Sequence, residues 1–114
     1  MNGTIDIDNA IDTAATDYPA LAQLFGGYYH QDWLQDHGAP DAALHAFVAD
    51  ASPDTVTAAS GEIDRLIGAG FDDDGLTQVL GEGLDCNYVP AANGLTCVGW
   101  LGHIREVLRT RAGD

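Results

Sequence analysis

The residue types that could carry out chemistry are concentrated in one short stretch of the chain, between Tyr28 and Trp33. His30 and Asp32 stand two residues apart there, and a carboxylate next to an imidazole can orient a general base. No serine or cysteine nucleophile stands near them in the sequence. Two hypotheses follow: His30 and Asp32 belong to a small hydrolase, or hydrogen bonds satisfy both side chains and fix the end of a helix. We favour the structural hypothesis, because buried polar groups usually serve structure.

The histidines and cysteines lack the spacing of metal ligands. His37 and His45 are separated by a loop that contains proline, and no His-x-x-x-His pair occurs. Cys86 and Cys97 do not form a C-x-x-C motif, which is the usual spacing of a zinc site. They bracket a loop and could pair, but we expect free thiols, as is common in a reducing compartment.

The acidic run Asp72–Gly75 invites comparison with a calcium-binding loop. In the matching register Gly70 and Gly81 would occupy the first and last ligand positions, where acidic side chains are required. The run is more simply explained as the N-terminus of a helix.

The glycines at 81 and 83 lack the lysine of a phosphate-binding loop. The sequence therefore predicts no metal and no cofactor.

Amphipathic helices are predicted to position these residues. Apolar side chains recur at helical spacing in five segments, which begin and end at about Pro19–Tyr29, Asp41–Ser52, Pro53–Ile67, Asp72–Leu80 and Val98–Thr110. Between the last two, residues 85–96 have no helical period and contain Pro90 and the turn pair Asn93–Gly94, which is typical of an extended loop or a short hairpin. The predicted fold is all-α, a small single-domain bundle of about five helices.

Three local expectations accompany this prediction. Gly26 and Gly27 interrupt the first helix near its end, at a cost on the order of 1 kcal/mol each, so we expect a neighbouring segment to pack closely against them. Asp17 is expected to accept hydrogen bonds from the free amides of this helix. Glu62 and Arg65 are expected to form a surface pair on the third helix.

The first sixteen residues differ from the rest of the chain. They carry isoleucines among aspartates and no aromatic residue, so residues 1–16 are expected to form an acidic, loosely attached and mobile arm, and residues 17–114 the helical domain.

The N-terminus lacks the basic and apolar segments of a secretory signal, and no apolar run approaches the length of a membrane span. We expect a cytoplasmic protein.

The charge balance is unusual. The 114 residues include 18 acidic and four basic side chains, for a formal net charge of −14. A phosphate backbone needs a basic footprint, so nucleic acid is excluded as a ligand, and anionic membranes are excluded for the same reason. Either a basic partner or simple solvation explains the acidity equally well. Self-repulsion favours a monomer.

Three stretches resemble a known family. YPALAQLFGGYYHQDW and GAPDAALHAFVADASP resemble the start, and YVPAANGLTCVGWLGHIREVLR the closing pattern, of bacterial contact-dependent growth inhibition (CDI) immunity proteins. The resemblance runs from about Tyr18 to Leu108 and does not include Met1–Thr16. It implies a small helical protein, not an enzyme, that binds and neutralises the C-terminal domain of a toxin. Such toxins are often nucleases with basic active-site surfaces, which an acidic protein would occlude. A generic acidic interaction module remains the alternative, with the hydrolase less favoured.

The resemblance also implies which residues serve structure and which meet the partner. Those expected to hold the helix ends together are Gly26, Gly27, Tyr28, His30, Asp32, Trp33 and Trp100. Because toxin specificity requires variable contact residues, partner contacts are instead expected from acidic side chains around the short fourth helix, namely Asp72, Asp73, Asp74, Glu82 and Asp85. An ordinary solvated acidic face is the competing interpretation for each of them.

Overall fold

The computed structural model describes residues 7–111, which fold into seven α-helices. They are α1 (Ile7–Asp17), α2 (Pro19–Tyr28), α3 (Trp33–His37), α4 (Pro40–Asp50), α5 (Pro53–Gly68), α6 (Asp73–Gln78) and α7 (Cys97–Arg111). A π-helical turn, Val79–Gly83, continues α6, and a 3₁₀ turn, Pro90–Asn93, precedes α7. The prediction of an all-helical single domain is confirmed, but the number of about five helices is wrong. The two additional helices are α1 and α3.

Both additional helices have weak sequence signals. In α1, Ile11 and Ala14 lie three residues apart on its packed face, but the interleaved aspartates and threonines resemble a solvated segment. The helix α3 has only five residues, too few for an apolar period to be visible. It ends at Gly38, whose φ of 80° is readily adopted only by glycine.

The centre of the core lies between α5 and α7. Ile63 and Leu66 of α5 are fully buried, as are Leu101, Ile104 and Leu108 of α7. These positions follow the predicted helical spacing. Ser52 caps α5 by accepting a hydrogen bond from the Thr55 backbone nitrogen at 3.2 Å. The helices α2 and α4 cover one side of this pair. No helix in the described part of the chain is long and apolar enough to cross a membrane.

The helix α1 packs against α6 and the π-helical turn. Ala14 is fully buried, and a Cβ atom placed on Gly83 would lie 2.7 Å from the Ala14 Cβ atom. This close approach requires glycine at position 83. Residues 1–6 of the predicted arm lie outside the described residues, and the division between 16 and 17 stays a prediction.

The N-terminus of α2 is capped from α5 rather than by Asp17. The Glu62 side chain is buried, and its carboxylate accepts hydrogen bonds from the Ala20 nitrogen at 3.2 Å and the Leu21 nitrogen at 3.0 Å. The predicted Glu62–Arg65 pair is therefore wrong. Arg65 instead donates to the Asp17 carbonyl oxygen at 2.9 Å.

The segment before α7 is a loop, since residues 7–111 contain no strand and the hairpin alternative is not realised. Asp85 begins it in the left-handed region, with φ of 58°. The Asn87 nitrogen then donates to the Tyr29 carbonyl oxygen at 2.8 Å, which ties the loop to the end of α2.

The two glycines near the end of α2 differ in their surroundings. A Cβ atom placed on Gly26 would lie 3.7 Å from the Leu84 carbonyl oxygen, an ordinary van der Waals contact. A Cβ atom on Gly27 would meet nothing within 4 Å. The expectation of close packing is therefore wrong at Gly27, because no neighbouring segment covers that side of the helix.

Candidate partner-binding surfaces

An aromatic cluster joins the end of α2 to the loop and to α7. The Trp100 ring lies 5.3 Å from Tyr29 and 4.8 Å from Tyr88, centroid to centroid, and Trp33 lies 5.4 Å from Tyr88. Burial raises the pKa of the Tyr29 hydroxyl, which donates a hydrogen bond to the Pro40 carbonyl oxygen at 2.7 Å. The cluster thus fixes α2, α4, the loop and α7 relative to one another. It includes the predicted Trp33 and Trp100.

Tyr28 makes a separate set of contacts. Its hydroxyl donates to the Asp50 carboxylate at 2.8 Å, its ring stacks on His37, and the ring edge meets Phe47. Burial and the Asp50 hydrogen bond both raise the pKa of this hydroxyl. Tyr28 therefore holds the C-terminal ends of α3 and α4 against α2.

Both ring nitrogens of His30 have a polar neighbour. Its Nδ1 atom accepts from the Asp32 backbone nitrogen at 3.0 Å, and its Nε2 atom lies 3.1 Å from the Asp36 carboxylate. The carboxylate that orients this ring is therefore Asp36, not Asp32, whose side chain is exposed. Neither nitrogen is free to take a proton from a nucleophile, as a hydrolase would require. The contacts match those of a histidine that fixes the turn between α2 and α3.

The first two residues of the acidic run make internal hydrogen bonds. Asp72 caps α6 by accepting from the Gly75 nitrogen at 2.7 Å. Asp73 accepts from the Cys97 nitrogen at 2.7 Å, at the start of α7. Both carboxylates lie at positive helix ends, where they stabilise the fold. Their contact with a partner stays a prediction.

The other three predicted acidic contacts are exposed. Asp74, Glu82 and Asp85 have no side-chain hydrogen bond or ion pair among residues 7–111. The helix α1 packs on the same segment and carries two further exposed acids, Asp8 and Asp12. We call these five residues the acidic surface. It is negative, exposed and without a paired cation within the described residues.

The arginines with described side chains are engaged within the fold. Arg105 and Arg109 lie 2.8 and 2.9 Å from the two carboxylate oxygens of Asp64 on α5. The Arg105 hydrogen bond is the main reason that the pKa of Asp64 lies below its ordinary value. Arg65 lies over the Tyr18 ring at 5.1 Å. Most of the acidic side chains in residues 7–111 therefore have no neighbouring arginine.

No metal-binding group is formed in the part of the chain that is described. No cluster of three or more histidine, cysteine, aspartate or glutamate side chains has a suitable arrangement there. Cys86 and Cys97 are free and buried, and burial raises the pKa of the Cys86 thiol to about 12. A buried thiol with a raised pKa is a weak nucleophile and a weak metal ligand.

A groove runs between the start of α4, the loop and α7. It encloses about 560 Å³. The buried Tyr88 and Trp100 form its floor, and Leu95 also lines it. Asp41 and His103 line it as a hydrogen-bonded pair, with 3.0 Å between Oδ1 and Nε2. Of the four large exposed apolar side chains in the described residues, three lie on or beside this loop, namely Val89, Leu95 and Val98. Exposed apolar side chains concentrated in one part of the chain favour a protein interface there.

Sequence reasoning missed this groove and several of its residues. Tyr88 stands in a stretch without periodicity, and nothing local indicates that its ring joins Trp33 and Trp100. Asp41 and His103 are far apart in the sequence, and only the packing of α4 near α7 brings them together. The one signal in the sequence for this groove was Tyr88 itself, an aromatic residue in a loop otherwise rich in small residues.

Comparison with known proteins gives a consistent result. The family model described as "CdiI immunity protein" matches residues 17–108, most of the chain. A solved chain in the "Crystal structure of CdiA-CT/CdiI complex from Y. kristensenii 33638" is similar in fold, with a TM-score of 0.78 and 29% sequence identity. The match covers 83% of this chain and 96% of that one. No curated protein matches significantly.

Proposed function

Because the chain belongs to the CdiI immunity protein family, we propose that it binds and neutralises the toxic C-terminal domain of a contact-dependent growth inhibition effector. The observation that carries this proposal is the family match over residues 17–108, which includes the whole aromatic cluster and the groove. The structural neighbour was solved in a complex of CdiA-CT with CdiI. A cognate toxin domain is the corresponding partner for this chain.

We propose further that the toxin domain is a nuclease and that inhibition occludes its basic surface. A nuclease must attract a polyanion, so its substrate-binding face carries positive charge. The net charge of −14 and the acidic surface complement such a face. Opposite charges accelerate diffusional encounter and fix the orientation of docking. Cytoplasmic action, where such a nuclease would meet its substrate, stays a prediction.

Inhibition by binding requires no catalytic residue in this chain. His30 has both ring nitrogens occupied, and both thiols are buried. An inhibitor of this kind acts at a fixed stoichiometry, whereas an enzyme that modified the toxin would act at substoichiometric amounts. This difference separates the two functions experimentally.

The test uses the toxic C-terminal domain of the large secreted protein encoded immediately upstream in the same genome. The full chain should bind this domain, rescue the growth of cells that express it, and abolish its activity at one equivalent. If the activity of the toxin domain is abolished by much less than one equivalent of this chain, the chain acts catalytically instead. No binding and no rescue, with both proteins folded, would refute the proposal.

A further inference from the structure

We infer that the groove between α4 and α7 receives an arginine side chain of the cognate toxin domain. The inference rests on the proposed function and adds a specific contact to it. The groove of about 560 Å³ is within the size range of sites that enclose a ligand group. It is large enough for one long side chain with its neighbouring backbone.

The shape and polarity of the groove match a side chain with an apolar stem and a charged head. Its floor is formed by the Tyr88 and Trp100 rings, which are only 6% and 3% exposed. These ring edges would contact the methylene groups of an incoming side chain. At the rim, the Asp41 side chain is 57% exposed. In the inferred complex the three methylenes of the arginine lie over these rings and its guanidinium donates to the Asp41 carboxylate.

The charge of the groove selects a cation. None of the residues that line it is lysine or arginine. Only one oxygen of Asp41, Oδ1, is engaged, by His103; the other has no hydrogen bond among the described residues. A second, smaller hollow shares His103 and adds His45 and Glu106, again without lysine or arginine. Arginine fits better than lysine, because its planar head donates several hydrogen bonds and is more weakly hydrated, and arginine is enriched in protein interfaces.

The surroundings of the groove also indicate that a protein covers it. Val89, Leu95 and Val98 are each between 44% and 47% exposed within one short stretch of chain. Of these three, Leu95 lines the groove, and an apolar side chain beside a charged pocket resembles the centre of an interface, where a buried arginine is surrounded by contacts that exclude water. Asp73, the neighbour in sequence of Asp74 of the acidic surface, accepts a hydrogen bond from the Cys97 nitrogen at the start of α7. Steering by that surface and anchoring in the groove are therefore compatible.

The test compares the binding of the isolated toxin domain by full-length variants, each first checked for an unchanged circular dichroism spectrum and melting temperature. Asp41→Asn should weaken binding about tenfold or more, as expected for loss of a desolvated charge pair. The matched control is Asp54→Asn, an exposed acid at the start of α5, which should change the Kd by less than about twofold. Leu95→Arg should also weaken binding strongly, and Leu34→Arg, which replaces an exposed leucine on α3, should not.

A double-mutant cycle then identifies the occupant. Asp41→Asn is combined with alanine substitutions of each arginine, lysine and aromatic residue on the toxin surface. One arginine should show a coupling of at least about fivefold in Kd. Coupling to an aromatic residue alone, or equal effects of the groove and control variants, would overturn this inference while the proposed function stood. Failure of the unaltered chain to bind the toxin domain would overturn both.

Discussion

The Glu62 carboxylate lies 3.0 Å from the Leu21 backbone nitrogen, although the two residues are 41 positions apart in the sequence. A second oxygen of the same carboxylate accepts from Ala20. Free amides at a helix N-terminus usually find a cap from the preceding residue. Here a buried acid on a different helix satisfies them, so the start of α2 depends on the packing of α5.

Replacement of Glu62 should therefore lower the stability of the fold. Glu62→Ala leaves two buried amides without acceptors, and we expect a loss of about 1–3 kcal/mol in the free energy of unfolding. Urea denaturation followed by tryptophan fluorescence measures it. Glu106→Ala, an exposed glutamate on α7, is the control and should change stability by less than about 0.5 kcal/mol. Equal effects of the two substitutions would contradict the capping role.

Two glycine-to-alanine substitutions should have opposite effects. At Gly83 the new Cβ atom would lie 2.7 Å from the Ala14 Cβ atom and 3.3 Å from the Ile11 carbonyl oxygen, so α1 must shift and stability should fall by about 1–3 kcal/mol. At Gly27, within α2, the Cβ atom meets nothing within 4 Å. Gly27→Ala should raise stability by about 0.5–1 kcal/mol. Thermal unfolding of the two variants measures both changes in stability. A Gly83→Ala variant that is more stable than the unaltered chain would refute the close approach of α1.

The contribution of Asp64 should depend on pH. The hydrogen bond from Arg105, together with the charge of Arg109, holds its pKa below the ordinary value of 3.8. A carboxylate whose folded-state pKa is depressed stabilises the fold above its unfolded pKa and loses that contribution as the pH falls through the folded pKa. Asp64→Asn should lower the free energy of unfolding by less than about 1 kcal/mol at pH 7, because the ion pairs of Asp64 are partly exposed. The loss should be almost nothing once the pH is below the folded-state pKa of Asp64.

The stability difference between the unaltered chain and Asp64→Asn is measured by urea denaturation from neutral pH down into the acid range. In a background that carries Arg105→Gln and Arg109→Gln, the same substitution should lose its pH-dependent effect. A difference that persists at the acid end, or in that background, would show that Asp64 acts through something other than its ion pairs.

His30 should be dispensable for neutralisation of the toxin. His30→Gln removes the ion pair with Asp36 and should cost no more than about 1 kcal/mol in stability, because the side chain is partly exposed. Growth rescue should equal that of the unaltered chain, with His45→Gln as an exposed control. A folded His30→Gln variant that fails to rescue growth would restore the hydrolase hypothesis.

The acidic surface should govern the rate of association. Asp74→Lys combined with Glu82→Lys reverses two carboxylates that make no hydrogen bond in the described residues. We expect association with the toxin domain to slow by roughly tenfold at low salt, and its salt dependence to decrease. Asp32→Lys with Asp54→Lys gives the same change in net charge elsewhere. Equal slowing by both double variants in stopped-flow measurements would assign the effect to net charge alone.

The amino-acid sequence by itself determined the parts of the fold that local chemistry controls. The apolar period indicated the buried faces of α5 and α7, including Ile63 and Ile104, and Ser52 and the proline after it fixed the start of α5. The family resemblance and the net charge pointed to the same class of partner. The local features depend on residues within a few positions of one another, so a linear pattern can reveal them.

Only the tertiary structure decided which distant groups meet. The sequence suggested that Asp17 caps α2 and that Glu62 pairs with Arg65, and both are wrong because the packing of α5 brings Glu62 to Ala20 and Leu21 instead. The ring of Tyr88 and the Asp41–His103 pair form the groove only when the loop and α4 pack near α7. Contacts of this kind depend on the relative placement of helices, and no residue spacing along the chain encodes that placement locally.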